Sequence, residues 1–240
     1  MSFRLDVLPP ERWADAVAAD LAERLREEPE LRLCLPTGST PAPLYAALVR
    51  STEPSLWSAA TIVLLDEYLG LPPGDPARGG DRLRRELVDH VKPARFVAID
   101  ADAADPEAAA RAHDAVAAEG LDLTLLGLGL NGHIGLDEPG SPADCETRVV
   151  TLTPRSQEVA AGYGAGATPQ RGITLGIARL LESREIWLLV TGERKADILE
   201  SALRGPEGPD VPASFLCRHP NLRVVADEPA ARLVRELAAS

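Results

Sequence analysis

Apolar and polar positions alternate along this chain in two rhythms. The segment Glu11–Glu27 carries Trp13, Val17, Leu21 and Leu25 at a spacing of four, which predicts an amphipathic helix. Short apolar runs of strand length follow at Leu31–Leu35, Thr61–Leu65, Arg95–Ile99, Leu121–Leu126, Ile186–Val190 and Leu222–Ala226. Helical patterns fall between and after them: Pro41 to about Arg50, roughly Asp81–His90, Pro106–Glu119, Ile173–Leu181, Glu193–Leu203 and Pro229–Ala238. The stretch Leu71–Gly80 is rich in Pro and Gly and reads as a loop, Gly140–Thr153 as irregular and then extended, and Gly162–Thr168 as a mobile glycine-rich segment.

Strands alternating with helices imply an α/β fold: a doubly wound, mostly parallel sheet with helices on both faces. No repeat and no linker divides the chain, so residues 1–240 are expected to form a single domain. In such sheets ligands bind beyond the carboxyl ends of the strands. Polar, glycine-bearing segments fall there: Thr37–Thr40, Asp66–Gly70, Gly127–Glu138 and Thr191–Lys195. Their convergence is the main reason to expect an enzyme site.

Composition narrows the class. Hydrophobic residues make up 45% of the chain and charged residues 26%, a globular balance. The formal net charge of −12 argues against nucleic acid or an anionic membrane as partner, while leaving the charge of any one pocket open. The cysteines Cys34, Cys145 and Cys217 have neither metal-ligand nor redox-pair spacing. Cys34, inside an apolar run, reads as a core residue, and the absence of a disulfide framework points to a reducing, cytoplasmic setting. The opening Met1-Ser2-Phe3-Arg4-Leu5-Asp6 lacks a basic start and an apolar leader, and no run is long enough to span a membrane.

Pro36-Thr37-Gly38-Ser39-Thr40-Pro41 joins a strand to a helix, where free N–H groups and the helix dipole suit a phosphate. An ordinary capping turn has the same residues, and the lysine of a P-loop is missing. Asp66-Glu67 follows an apolar strand directly; the two should face opposite ways, with Asp66 the candidate base and Glu67 supporting the structure. His133 stands among glycines five residues before Glu138. A carboxylate beside that imidazole would raise its proton affinity and fix its tautomer, as a proton shuttle requires. His90, His113 and His219 read as structural. Lys195 belongs in the first turn of a helix, where a bound anion would offset the unfavourable dipole.

In this order, Thr37-Gly38-Ser39-Thr40-Pro41, Leu65-Asp66-Glu67-Tyr68-Leu69-Gly70-Leu71, Leu126-Gly127-Leu128-Gly129, Asn131-Gly132-His133-Ile134-Gly135-Leu136-Asp137-Glu138-Pro139-Gly140, Thr147-Arg148, Ile173-Thr174-Leu175-Gly176-Ile177 and Thr191-Gly192-Glu193-Arg194-Lys195-Ala196 resemble the glucosamine-6-phosphate deaminase family. The related 6-phosphogluconolactonases share its fold. The resemblance implies a small-molecule sugar-phosphate substrate and catalysis without metal or organic cofactor. It places phosphate at Thr37, Gly38, Ser39, Thr40 and Lys195, with Glu67 and Gly132 also at the substrate. It makes Asp66 the base at C2, and His133, oriented by Glu138 and Asn131, the group that opens the sugar ring. Tyr68-Leu69-Gly70-Leu71 and Glu138 favour the deaminase pattern over the lactonase one.

The chain departs from the family in two places. Asp75-Pro76-Ala77-Arg78-Gly79-Gly80-Asp81 lacks the usual Ser-Tyr pair, and Gly162 stands where a phosphate-holding Arg is expected; Arg155, Arg171 and Arg78 are the candidate replacements. A lactonase, an enzyme for another amino-sugar phosphate and a non-catalytic sugar-phosphate sensor are the alternatives. The pattern is compatible with a monomer or a homo-oligomer. The family's larger members can be regulated hexamers; this shorter chain is expected to lack that regulation.

Overall fold

The computed structural model describes residues 3–239. Met1 and Ser2 of the opening segment, and Ser240, lie outside the described residues. The strands are β1 (Phe3–Leu8), β2 (Arg32–Leu35), β3 (Thr61–Leu64), β4 (Asp66–Leu69), β5 (Arg95–Val97), β6 (Leu123–Gly127), β7 (Arg148–Thr151), β8 (Arg171–Thr174), β9 (Glu185–Val190) and β10 (Leu222–Asp227). The helices are α1 (Pro10–Glu27), α2 (Pro41–Ser51), α3 (Gly79–Leu83), α4 (Asp89–Val91), α5 (Pro106–Ala117), α6 (Pro154–Gly162), α7 (Ile177–Leu181) and α8 (Ala196–Arg204). A π-helical turn, Arg84–Val88, joins α3 to α4.

Seven strands form a parallel sheet in the order β1-β10-β9-β6-β2-β3-β5. From β2 the chain builds outward through β3 to β5; from β6 it builds the other way through β9 to β10. The direction switches between β2 and β6, and a crevice opens at the carboxyl ends of strands at such a point.

The alternation of side chains along each strand sorts the core into two layers. Leu33, Leu35, Ile62, Leu64, Leu123, Leu125 and Trp187 pack with Trp13, Val17, Leu21 and Leu25 of α1 on one face. Cys34, Val63, Leu126, Ile186, Leu188 and Val190 pack with Leu180 of α7 and Leu199 of α8 on the other. Burial on both faces is why these strands read as nearly continuous apolar runs.

Several expectations need correction. Phe3–Leu8, absent from the expected strands, is the edge strand β1, paired in parallel with β10. Thr61–Leu65 does not continue straight into the acids: the main-sheet strand ends at Leu64, and Asp66 starts β4 of a separate antiparallel sheet ordered β4-β8-β7. The stretch Ile173–Leu181 is part strand, part helix, with β8 ending at Thr174 and α7 starting at Ile177. Its β-branched start, Ile173-Thr174, pairs with Glu67 and Asp66. Pro229–Ala238 is not one helix but turns ending in a 3₁₀ segment, Arg235–Ala239.

Candidate active site

A cleft of about 510 Å³ opens over the switch point. It is lined by Pro36–Pro41 after β2, by Leu65 and Asp66 after β3, by Gly127–Leu130 and His133 after β6, and by Thr191–Lys195 after β9. Arg155, Val159 and Tyr163 of the α6 region form its remaining wall. Its volume lies in the range that suits a small ligand. A recess of about 70 Å³ continues inward and shares Thr37, Asp66, His133, Gly135, Val159 and Tyr163 with the cleft. Asp66 and His133, distant in the chain, thus line the same space.

Asp66 owes its position to the change of sheet. At the end of β3 the chain leaves the main sheet, so the first residue of β4 faces the crevice. Gly135, at φ +56°, approaches closely; a Cβ there would come within 3.6 Å of Asp66 Oδ2 and 2.7 Å of Thr174 Oγ1. Burial, reinforced by the nearby Glu67 and Asp137 carboxylates, pushes the Asp66 carboxyl up to about 7. The charged form of Asp137 is itself disfavoured by burial, at about 6, although Arg148 binds its Oδ1 at 2.6 Å.

Glu67 is tied down instead. Its Oε1 accepts from the N–H groups of Tyr68 and Gly79 at 2.8 and 2.7 Å, and its Oε2 from Gly80 at 2.7 Å. It borders the recess, but its oxygens are committed to the first turn of α3. The supporting role read from the acid pair fits this geometry; direct substrate binding does not.

The glycine-rich segment builds a relay. His133 Nδ1 lies 2.7 Å from Asn131 Oδ1, and Asn131 Nδ2 donates to Glu138 Oε2 at 2.8 Å. Glu138 reaches the imidazole mainly through Asn131, since its Oε2 is 3.7 Å from His133 Nδ1. An ionised carboxylate can only accept, so Asn131 must turn its amide NH₂ to Glu138 and its oxygen to the imidazole. His133 therefore carries its proton on Nδ1 and leaves Nε2 as a base. Glu138 Oε1 also accepts from Thr153 Oγ1 at 3.1 Å and from the Ser156 hydroxyl. Gly129 is required here, since a Cβ would fall 2.4 Å from the His133 ring.

The expected rise in His133 proton affinity is reversed. Burial dominates and lowers it below the ordinary histidine value; Glu138 pushes up against this, and the Lys195 charge adds to the lowering. The imidazole is accordingly neutral near pH 7.

At the mouth, none of the backbone N–H groups of residues 37–40 donates to a backbone acceptor outside regular elements among the described residues. They sit at the start of the eleven-residue α2. Lys195, in a 3₁₀ turn before α8, donates to Leu128 O and lines the cleft. Burial, then the Arg194 and Arg155 charges, lower its ammonium to about 8. Gly132 does not line the cleft or the recess; at φ +88° it packs against Val211 and Ile198.

Of the candidate arginines, Arg155 lines the cleft. Arg78 is committed to Asp102 at 3.0 Å, and Arg171 sits exposed on β8 without lining the cleft. Ser156, Thr153 and Tyr163 were not singled out by sequence; Thr153-Pro154-Arg155-Ser156, a helix-start signature, was the available signal for the first two. His113 and His219 are buried on backbone carbonyls, of Leu64 and Ser183, at 2.7 Å each. Cys34 is buried in the core. Among the described residues, no helix is long and apolar enough to cross a membrane, and no group of three or more His, Cys, Asp or Glu is arranged to hold a metal ion.

The chain is similar to known proteins over nearly its whole length. A glucosamine-6-phosphate deaminase of Rhodopirellula baltica is 40% identical over 97% of this chain and 96% of its own length. A deaminase of the same name from Streptomyces coelicolor is 39% identical over 90% and 87%. A solved monomeric glucosamine-6-phosphate deaminase superposes with a TM-score of 0.88 at 32% identity, covering 97% of this chain and 100% of that one. The 6-phosphogluconolactonase of Trypanosoma brucei, at 20% identity and a TM-score of 0.80 over 97% and 99%, shares the fold. Residues 10–225 match the family described as glucosamine-6-phosphate isomerases/6-phosphogluconolactonase, and the chain belongs to that family.

Proposed function

We propose that this protein converts glucosamine 6-phosphate and water to fructose 6-phosphate and ammonia. The observation that carries the reading is the shared lining of one cleft by a carboxyl held at about 7 and an imidazole kept neutral. The deaminase relatives, at 34–40% identity, supply the substrate class.

The residues support the following sequence of steps. The phosphate sits at Thr37–Thr40, with Lys195 and Arg155 supplying positive charge. His133 Nε2 takes the proton of the C1 hydroxyl and returns it to the ring oxygen as the C1–O5 bond breaks, giving the open-chain aldehyde. Asn131 and Glu138 hold the imidazole for this exchange. Asp66 then takes the proton from C2 while a proton of the substrate's own ammonium moves to the C1 oxygen, giving a neutral enolamine, and Asp66 returns its proton to C1. The resulting C2 iminium adds water and expels ammonia. A carboxylate near pKa 4 would be a weak base for the C2 step; at about 7 it combines a useful ionised fraction with greater basicity at neutral pH.

We place the protein in the cytoplasm, because its cysteines, Cys34, Cys145 and Cys217, are all free. The reading is tested by supplying phosphorylated amino sugars and measuring ammonia. Release from glucosamine 6-phosphate, with fructose 6-phosphate in equal amount, is expected. No ammonia together with rapid hydrolysis of 6-phosphogluconolactone would overturn it in favour of a lactonase. Ligand-induced thermal stabilisation without turnover would favour a sensor.

A further inference from the structure

Tyr163 follows the last turn of α6 and lines both the cleft and its recess. Its hydroxyl lies over the turn after β2: a Cβ on Gly38 would be 3.2 Å from Tyr163 Oη. Tyr45 donates its hydroxyl to Pro36 O at 2.6 Å, whereas the Tyr163 hydroxyl has no such protein acceptor among the described residues. A half-buried phenol O–H lining the cleft beside a turn rich in N–H donors is free to donate to a ligand seated there in place of solvent.

Arg82 explains how the ring is held. Its guanidinium lies 4.2 Å from the centre of the Tyr163 ring. The same group donates to Gly38 O at 3.2 Å and to Glu86 Oε1 at 2.7 Å. Its Nη1 is buried with no hydrogen-bond partner, and the side chain is 12% exposed. One planar cation thus touches both the turn and the tyrosine. A cation on the ring face draws density from the π-system and strengthens the O–H as a donor.

We propose that Tyr163 is a binding residue for the substrate's phosphate, donating its hydroxyl at the Thr37–Thr40 turn, and that Arg82 is the positioning residue that holds it there. The proposal rests on the phosphate placement given under Proposed function. A neutral donor at this point adds a hydrogen bond without adding charge to a wall that already carries Arg155 and Lys195.

The test is calorimetric titration of the full chain with inorganic phosphate, alongside steady-state kinetics with glucosamine 6-phosphate. Tyr163→Phe keeps the ring and its stacking on Arg82 and removes only the hydroxyl. It should weaken phosphate binding about tenfold and raise KM by a similar factor, with kcat within about twofold. Arg82→Lys keeps the charge but loses the planar stack; its loss should be similar, and the double variant should be no weaker than the weaker single one. Phosphate affinity unchanged in Tyr163→Phe would overturn the role of Tyr163. Fully additive losses would overturn the role of Arg82. If the wild type releases no ammonia, the deaminase reading falls, while the phosphate titration still decides for or against Tyr163.

Discussion

At the inner end of the cleft, Asp66 is crowded by burial and by the carboxylates of Glu67 and Asp137, so its charged form is costly and its proton affinity rises to about 7. At the mouth, Lys195 is crowded by burial and by Arg194 and Arg155, so its charged form is costly too and its proton affinity falls to about 8. In the proposed mechanism the same physics, like charges gathered in a poorly solvated place, serves a base at one end and an anion site at the other. The difference lies in what relieves each end. On the proposed reading, a proton moving to and from substrate carbon would relieve the first, and a bound phosphate the second.

Removing the carboxylate should break this comparison most severely. Asp66→Asn is expected to lower kcat by about 10²–10⁴-fold, with KM changing little, since the group acts in proton transfer rather than binding. Equal loss of kcat and affinity would make Asp66 a binding residue. At the other end, Lys195→Ala should raise KM about 10- to 100-fold while kcat stays near wild type. An unchanged KM would remove Lys195 from the phosphate.

The two shifts also set a pH window. Asp66 must be ionised, so kcat/KM should rise about tenfold per pH unit up to about 7. Lys195 must be charged, so kcat/KM should fall above about 8. A profile flat from pH 6 to pH 9 would contradict both assignments. Asn131→Asp sharpens the account of the relay. It puts a second carboxylate in the place of a donor 2.8 Å from Glu138, so one more proton must be held in the relay. The His133 ring pKa, followed by NMR, should rise by about one unit or more.

The smallest effect is on stability. Because Asp66 has a higher pKa folded than unfolded, the native state binds more protons between about 4 and 7, and stability falls as pH rises through that range. Asp66→Asn removes this cost. It should be more stable than wild type at pH 8 by about 1–2 kcal/mol, less than the full shift implies because the side chain is partly open to solvent. Denaturant melts at pH 5 and pH 8 read the difference directly.

Much of this was legible in the residue pattern. The buried strands announced themselves as apolar runs, and α1 through its four-residue spacing, because each rests on local periodicity. The carboxyl-end segments followed from the alternation of strands and helices, and the glycines around His133 marked a backbone that must pass close to a ring. What was hidden depended on distant partners. β1 takes its strand character from β10, more than two hundred residues later, and β8 from β4 and β7. The sign of the His133 shift could not be read from Glu138 alone, because burial by the assembled cleft outweighs one carboxylate. Tyr163 was hidden for the same reason, and Arg155 could not be chosen over Arg171 and Arg78: only the packing of the α6 region against the turn after β2 brings them to the site.

The central claim, that Asp66 moves the C2 proton, is tested most directly with glucosamine 6-phosphate carrying deuterium at C2. Wild type should show slowed ammonia release under conditions where the C2 step limits the rate, with deuterium shared between C1 of fructose 6-phosphate and water, and Asp66→Asn should release almost no ammonia. Ammonia release by Asp66→Asn at close to the wild-type rate would contradict it.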